Sequence, residues 1–391
     1  MDAYPEDWTR KLYTDLFRHY SVREYQIPMS QILSHGDIPV VDQGQDKIAG
    51  YTNDADRVMQ IPAEGVIVFG DHTRIIKLVK FPFCIGADGV QVLACKEDDA
   101  DFVVQLMSCM EIPNLGYSRH FKYIKAATYF LPPLPEQRRI AAALGDMDKL
   151  IDNLSKRIEK KKSIKQGAMQ ELLTGKKRLP GFEGEWEMVR IGNIGDFYGG
   201  LSGKTAADFG HGEAQYITFM NVLTNIVIKR HQVGKVSVYQ GEHQNAVKKG
   251  DLFFNVSSET PEEVAMCAAL LEDMPNTYLN SFCCGFRLFD DSNDPLFISY
   301  YVNSHEGRKM TKFLAQGLTR HNLSKDAFRK MEMNWPKKSE QRAIAKVLGD
   351  MDAEIAKLEA KHEKLIGIKK GMMSDLLTGK VRLKTEMERR K

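Results

Sequence analysis

Two long stretches of the chain carry apolar residues in steps of three and four, with Lys, Glu and Asp between them. Such a stripe covers one face of an α-helix, and its near-heptad spacing is typical of a coiled-coil seam. The stripe positions are Ile140, Leu144, Met147, Ile151, Leu154 and Ile158, then Ile344, Leu348, Met351, Ile355, Leu358 and Leu365, with His362 at one seam position. The first helix is predicted over about residues 136–173, roughly 55 Å long. The two helices are expected to pack on each other as an intramolecular coiled coil.

The two stretches are copies of one another. Residues 132–179 align without a gap to residues 336–383, and about half of the positions are identical. The copies share EQR, LGDMD and LLTGK, each repeated 204 residues later. Proline precedes each helix, and Gly175 and Gly379 stand where a helix prefers to end. The sequence therefore predicts an internal duplication, and a two-fold arrangement of its halves makes the helices antiparallel.

The segments before each helix have a different pattern, in which apolar residues alternate with polar ones between Gly, Asn and Asp. These runs predict strands and turns. They are GVIVFG (65–70), GVQVLAC (89–95), QYITFMNV (215–222) and DLFFNVSS (251–258). The predicted fold class is mixed α+β, with a pseudo-two-fold repeat. The predicted order is a first globule (1–131), a central helical spacer (132–178), a second globule (179–335) and a C-terminal helical spacer (336–391).

Composition and charge narrow the class of protein only a little. The 391 residues are 43% hydrophobic and 27% charged, which is typical of soluble globular chains rather than disordered ones. The net charge of +3 is weak evidence for a nucleic-acid partner, but Lys and Arg gather at 156–165, 174–178 and 387–391. The six cysteines show no metal-binding spacing, which favours reduced thiols in a cytoplasmic protein. No apolar run is long enough to span a membrane.

Motifs for catalysis are weak or missing. GGLSGKT (199–205) resembles the end of a phosphate-binding loop but has one residue too few between its glycines. The sequence shows no methyltransferase cofactor loop and no convincing nuclease carboxylate–lysine cluster. The two aspartates of LGDMD lie about 200° apart around a helix, so they do not converge on a metal. They are expected to be solvated or to make polar contacts at an interface, and no catalytic or metal site is predicted.

Several polar and basic loops suit contact with DNA, because their side chains can bind phosphates or base edges. GYSRH (116–120) and GLTRH (317–321) occur a short way upstream of each long helix, and each could instead brace its globule against that helix. Ordinary surface loops are the alternative for the other segments. The candidates are His72, Thr73, Arg74, Lys77, Ser118, Arg119 and His120 in the first globule, and Ser202, Lys204, Thr205, Asn255, Ser257, Ser258, Thr319, Arg320 and His321 in the second.

The complete pattern resembles the specificity subunit of Type I restriction-modification systems. The resemblance rests on the EQR, LGDMD and LLTGK repeat, once in mid-chain and once near the C-terminus. LPGFEGEWEMVRIGNI and DLFFNVSSETPEEVA in the second globule support it. It extends over essentially the whole chain and is weakest in the first globule.

This resemblance implies two target-recognition domains, each binding one half of a bipartite double-stranded DNA sequence, held apart by an antiparallel coiled-coil spacer. It also implies that the helices dock two modification subunits, which methylate adenine with S-adenosylmethionine, and through them restriction subunits that use ATP and Mg. No cofactor is expected in this chain. The polar residues of the repeat implied to contact these partners are Glu136, Gln137, Arg138, Asp146, Asp148, Glu340, Gln341, Arg342, Asp350 and Asp352.

Two other functions fit parts of the pattern. A coiled-coil scaffold with two ligand-binding globules would need no DNA, and a stand-alone DNA-binding regulator would need no partner subunits. The duplicated helix argues against both, because its identities persist where the globules have diverged.

Overall fold

The computed structural model describes residues 4–86, 88–116, 118–317 and 321–383. The chain divides into two compact units, the first formed by residues 1–156 with 359–391 and the second by residues 157–358. Each unit thus contains one globule together with part of each long helix, so the division falls inside the helices.

The first globule alternates short strands with a few short helices. Its strands are β1 (Thr9–Leu12), β2 (Phe17–Tyr20), β3 (Ile38–Val41), β4 (Gly50–Thr52), β5 (Val66–Gly70), β6 (Ile76–Val79), β7 (Cys84–Ile85), β8 (Val90–Cys95) and β9 (Thr128–Leu131). Its α-helices are α1 (Tyr13–Leu16), α2 (Ala100–Ser108) and α3 (Phe121–Ala126). Single 3₁₀ turns occur at Arg23–Tyr25, Met29–Gln31 and Ala55–Arg57.

The second globule follows the helix α4 (Leu134–Leu172) and precedes the helix α9 (Lys338–Leu376). Its strands are β10 (Glu187–Arg190), β11 (Gly195–Gly199), β12 (Phe209–Ile217), β13 (Val233–Val236), β14 (Leu252–Asn255), β15 (Ser257–Ser258), β16 (Cys267–Ala269), β17 (Thr277–Leu279), β18 (Cys283–Leu288), β19 (Ala315–Gln316), β20 (His321–Leu323) and β21 (Glu332–Trp335). Its α-helices are α5 (Phe219–Thr224), α6 (Pro295–Asn303), α7 (His305–Lys312) and α8 (Lys325–Arg329). Its 3₁₀ turns are Ile191–Asn193, Ala206–Asp208 and Pro261–Glu263.

The two globules share one plan of strand pairing. Each has a four-stranded antiparallel sheet, in the order β2-β8-β5-β6 or β11-β18-β14-β16. Each also has a three-stranded sheet with one parallel pair, in the order β4-β3-β7 or β13-β12-β17. The first and last strands of each globule pair with each other, β1 with β9 and β10 with β21. The predicted α+β fold and repeat are therefore confirmed, and the second globule adds a further sheet, β15-β20-β19.

The long helices begin and end within two residues of the predicted limits. At their carboxyl ends, Gly175 and Gly379 adopt left-handed φ angles of 71° and 74°. A Cβ at either position would lie 3.2–3.3 Å from a tryptophan ring, Trp186 beside Gly175 and Trp8 beside Gly379. Glycine is therefore needed at each position for two reasons. It adopts the left-handed φ angle without strain, and it leaves room for the neighbouring tryptophan ring.

The apolar stripes lie where the periodicity predicted. In the first unit, Ile140 and Leu144 share a core with Leu376 at the end of α9. In the second unit, Leu172 at the end of α4 shares a core with Ile344. The start of each helix thus packs beside the end of the other, which confirms the antiparallel coiled coil. Each fully buried leucine contributes about 1.5–3 kcal/mol.

The cysteines give a direct check on this packing. Burial raises the pKa of Cys95, Cys283 and Cys284 to about 12. Burial also raises the pKa of Cys109, but this residue is exposed and a reagent can reach it. Because thiolates are the reactive form, we expect Cys109 to react with a thiol reagent at pH 8 well before the other five cysteines. Timed alkylation followed by mass spectrometry measures the order, and Cys109→Ser should remove the fast phase. A second cysteine reacting as fast in the folded chain would contradict the described packing.

Among the residues that the structure describes, no helix is both long and apolar enough to cross a bilayer. The same residues contain no group of His, Cys, Asp and Glu side chains that could hold a metal ion.

Candidate nucleic-acid and partner interfaces

The two candidate segments of the first globule meet at Asp71, a buried residue that the sequence did not single out. The Asp71 carbonyl oxygen accepts the backbone N–H of His120 at 2.9 Å, and its carboxylate accepts the N–H of Phe121 at 2.7 Å. His120 Nδ1 also lies 2.9 Å from that carbonyl oxygen, so this nitrogen carries the proton. The turn that holds His72 is therefore joined to the loop that holds Arg119.

Several of these candidates are used inside the globule. Lys77 is 8% exposed and donates hydrogen bonds to the carbonyl oxygens of Asp42 and Asp46. Burial lowers its pKa, against the attraction of Asp42. Thr73 donates to the Gln43 carbonyl oxygen at 2.6 Å. The structure therefore corrects the interpretation of Lys77 and of the wholly buried His120 as surface groups, because both support loops instead.

The backbone of Arg74 is unusual, with a φ of 64°, and its Nη1 donates to the Ile112 carbonyl oxygen at 3.2 Å. A left-handed φ at a non-glycine residue marks a constrained turn. The guanidinium therefore ties this turn to the segment that leads into the 118–120 loop.

An exposed basic strip runs beside this junction, and only one of its members, Arg119, was among the DNA contacts predicted from the sequence. Arg119 is exposed, and Lys122 and Lys125 are exposed on α3. Lys125 lies 5.0 Å above the Phe121 ring, and the His19 ring lies 5.1 Å from the same ring. Burial lowers the pKa of His19, and Lys125 adds to the effect. The strip combines cations with hydrogen-bonding groups and can bind phosphate. The spacing of Lys122 and Lys125 behind Arg119 was the signal available in the sequence.

The second globule brings Asn255, Ser257 and Ser258 together with His321, since β15 pairs with β20 and Ser258 lies opposite His321. All three polar side chains before His321 are buried. Asn255 donates to the Glu263 carbonyl oxygen at 2.7 Å, and Ser258 donates to the Glu263 carboxylate at 2.6 Å. The expectation of an open DNA-binding loop is corrected here, because these side chains hold the 256–264 segment in place. Thr319 and Arg320 lie outside the described residues.

The Gly-rich loop after β11 forms a separate cluster. Lys204 is paired with Glu242, its side chain is only 5% exposed, and its Nζ lies 5.0 Å above the Tyr239 ring. The backbone N–H of Ser202 donates to the side-chain oxygen of Gln244, and the Gln244 side-chain amide donates to the Ser202 carbonyl oxygen. Thr205 caps the 3₁₀ turn that follows. Lys204, a candidate DNA contact in a surface loop, is thus mostly buried and forms an ion pair within the globule. No α-helix follows the loop, which agrees with rejecting a phosphate-binding loop.

Exposed cations of the second globule lie just before and within β13, in a segment that was not among the predicted DNA contacts. Lys229, Arg230 and His231 are exposed just before β13, and Lys235 is exposed within it. The tripeptide KRH was the available signal. This segment is a better candidate for phosphate contact than Lys204.

The repeat residues EQR lie at the start of each long helix. Most of their side chains contact other residues of the same chain. Glu340 is buried, and its carboxylate accepts two hydrogen bonds from Arg178, at 2.5 and 2.7 Å. In the first unit, Glu136 accepts two hydrogen bonds from Arg382, both at 2.6 Å. We call these the end clamps, because each joins the start of one helix to the segment after the other. The paired carboxylates raise the pKa of both arginines.

The glutamine of EQR fixes a globule helix in each unit. Gln341 accepts the N–H of Asp294, which caps α6, and donates to the Pro336 carbonyl oxygen, both at 2.8 Å. Gln137 makes the equivalent bonds, accepting the N–H of Asp99, the cap of α2, at 2.9 Å and donating to the Pro132 carbonyl oxygen at 2.9 Å. The expectation that these glutamines and glutamates face partner subunits is corrected, because all four are buried in their own unit.

The duplication is thus visible in the contacts as well as in the sequence. The chain is also similar to known proteins in sequence and in fold. The family model of the type I restriction modification DNA specificity domain matches residues 183–366, which hold the second globule and most of α9. Residues 183–366 therefore carry a type I restriction modification DNA specificity domain.

Two curated proteins from Methanocaldococcus jannaschii are similar to this chain. The type I restriction enzyme MjaX specificity subunit is 25% identical over 271 residues, and the MjaVIII specificity subunit is 25% identical over 264 residues. Both matches cover 65% of this chain. They span 59% and 62% of the lengths of the two relatives.

Solved structures share the fold of this chain over nearly its whole length. The type I S subunit from M. genitalium gives a TM-score of 0.62 at 14% identity and covers 96% of this chain and 97% of its own. A chain solved in work on complex assembly and conformational transition of the type I R-M system gives a TM-score of 0.56 at 15% identity. That match covers 97% of this chain and 100% of the other.

Some polar repeat residues of this chain are exposed to solvent. Arg138 lies in a cleft with Asp99 and Asp101, and Arg342 lies in the repeat-equivalent cleft with Lys248. The first aspartates of the two LGDMD copies are also exposed. These groups remain the candidates for partner contact.

Proposed function

We propose that this chain is a non-catalytic DNA-recognition subunit, in which each globule binds one half of a bipartite double-stranded sequence. The observation that carries the proposal is the repetition of the same sheet plan and the same end clamp in two units. Two binding sites on rigid supports suit two half-sites, because half-sites lie at a set distance from each other along DNA. The two long helices serve as the spacer.

In this proposal the chain also docks two modification subunits, one on each copy of the helical repeat. Duplicated surfaces suit duplicated partners, which gives a pseudo-two-fold assembly. Arg138 and Arg342, exposed at equivalent positions, are the support for this step. S-adenosylmethionine would bind to the modification subunits, and ATP and Mg to restriction subunits where those are present. The assembly would act on DNA in the cytoplasm.

Methylation mapping tests the proposal. The chain would be expressed with its adenine methyltransferase partner in a host that lacks such activity, and adenine methylation would be mapped across the genome. We expect a split motif of two short sequences at a constant spacing, which disappears when this chain is omitted. Methylation that does not depend on the chain, or a motif without a gap, would overturn the proposal. Binding of DNA without any methyltransferase partner would favour a stand-alone regulator.

Arg119 offers a sharper check in the first globule. We expect Arg119→Ala to weaken binding of the whole complex to its target about tenfold and to reduce the salt dependence, because one cationic contact is lost. Fluorescence anisotropy at several salt concentrations measures both. Arg57→Ala is the matched control, because Arg57 is 46% exposed in the same unit and pairs with Asp54. Equal effects of the two substitutions would remove Arg119 from the interface.

A further inference from the structure

The second aspartate of each LGDMD copy joins three elements, which the periodicity of the helix does not predict. In the second unit, Asp352 on α9 accepts the Tyr300 hydroxyl of α6 at 2.6 Å. Its other oxygen accepts Lys165 Nζ of α4 at 2.5 Å. One carboxylate therefore connects both long helices to a helix of the globule.

The first unit has the same arrangement with a different globule partner. Asp148 on α4 accepts Gln105 Nε2 of α2 at 3.1 Å and lies 2.6 Å from Lys369 Nζ of α9. Lys165 and Lys369 are repeat equivalents, 204 residues apart. Gln105 and Tyr300 are each the sixth residue of a nine-residue helix. We call the two arrangements the aspartate junctions.

The first aspartate of the same pentapeptide behaves differently. The Asp146 and Asp350 side chains are 75% and 68% exposed, and within the described part of the chain each pairs with a lysine of its own helix. Asp148 and Asp352 thus make polar contacts at an interface, whereas Asp146 and Asp350 are solvated, and these are the two alternatives expected from the sequence.

The aspartate junctions complete a second attachment for each globule helix. The start of α6 is already held by Gln341, and Asp352 holds the same helix further along, at Tyr300. A single attachment leaves a helix free to pivot, whereas two attachments along its length fix its direction. In the first unit, Gln137 and Asp148 hold α2 in the same way.

We propose that Asp148 and Asp352 are positioning residues that make the chain discriminate between half-site spacings in DNA. The proposal rests on the proposed function. A globule that can pivot on its helices accepts half-sites that are slightly closer or further apart, at little cost to recognition of each half-site. The junctions would therefore control tolerance for spacing, while the loops control which bases are bound.

The test compares Asp148→Asn/Asp352→Asn with the matched control Asp152→Asn/Glu159→Gln, each in the complex with methyltransferase subunits. Asp152 and Glu159 are exposed carboxylates of α4, one in each unit, and each pairs with a lysine of the same helix. Duplexes carry the mapped half-sites at the natural spacing and at one base pair more or less. Wild type and control should show the same preference for the natural spacing. In the junction variant we expect that preference to fall about tenfold, because charge-assisted hydrogen bonds are lost. An unchanged preference, or an equal fall in the control, would overturn the proposal.

Tyr300→Phe separates positioning from general destabilisation, since it removes one hydroxyl from α6 and retains the ring. Tyr300→Phe should also weaken the preference for the natural spacing, whereas loss of folded protein would lower binding equally at every spacing.

A measurement without DNA distinguishes failure of this inference from failure of the proposed function. Spin labels would be attached to Ser163→Cys on α4 and Ser292→Cys before α6, with Cys109→Ser to remove the exposed thiol. The distribution of distances between the two labels should be broader in Asp352→Asn. An unchanged distribution would overturn the junction role even if no split DNA target exists.

Discussion

Replacing Gln341 with leucine is expected to lower the free energy of unfolding of the second unit by about 3 kcal/mol. The side chain is 1% exposed, and its loss leaves the Asp294 N–H and the Pro336 carbonyl oxygen without their partner. A buried group without its partner costs about 1–3 kcal/mol. Leucine fills a similar volume, so the loss reports hydrogen bonds rather than a cavity. Urea unfolding followed by tryptophan fluorescence measures it, because Trp335 bonds to Asn293 beside the same site.

The matched control is Gln170→Leu, at an exposed position on α4 within the same unit. It should change the free energy of unfolding by less than about 0.5 kcal/mol, as is usual for surface substitutions. A similar loss in both variants would mean that leucine itself, and not the removed hydrogen bonds, causes the effect.

The second large effect is expected at the end clamp between Arg178 and Glu340. We expect Arg178→Lys to lower the denaturation midpoint although it keeps the positive charge. A lysine cannot make the paired hydrogen bonds of the guanidinium, and Glu340, 3% exposed, would remain buried with an incomplete partner. Arg178→Ala should be worse still, because the buried carboxylate then keeps only the Trp186 N–H at 3.2 Å.

A double-substitution cycle shows whether the clamp acts as a pair. The double variant Arg178→Ala/Glu340→Gln should be less destabilised than the sum of the single variants, since no unpaired buried charge remains. The exposed pair Arg190–Glu332, with side chains 52% and 50% exposed, is the control and should show little coupling. Strict additivity at Arg178 and Glu340 would mean that the two residues stabilise the unit independently.

The bounds and packing faces of the long helices could be predicted closely, because both depend on residues that are close together in the sequence. The 3.6-residue period placed Ile140, Leu144 and Ile344 in packed seams, and Gly175 and Gly379 ended the helices where the repeat placed them. The DNA-contact candidates were less predictable. Residue type identifies a hydrogen-bonding group, but not whether another part of the same chain already uses it. Lys77, Asn255 and Lys204 have the chemistry for DNA, and the fold uses each of them internally.

The sequence by itself determined that the chain is duplicated, that its spacers are long amphipathic helices, and that two α+β globules alternate with them. These features depend on period and on self-alignment, which a single chain displays in full. Only the tertiary structure decided what the shared residues do. Asp146 and Asp148 are indistinguishable by residue type, but the first faces solvent and the second joins three helices. The physical reason is that each partner comes from a distant part of the chain, more than 40 residues from Asp148 for Gln105 and more than 200 for Lys369.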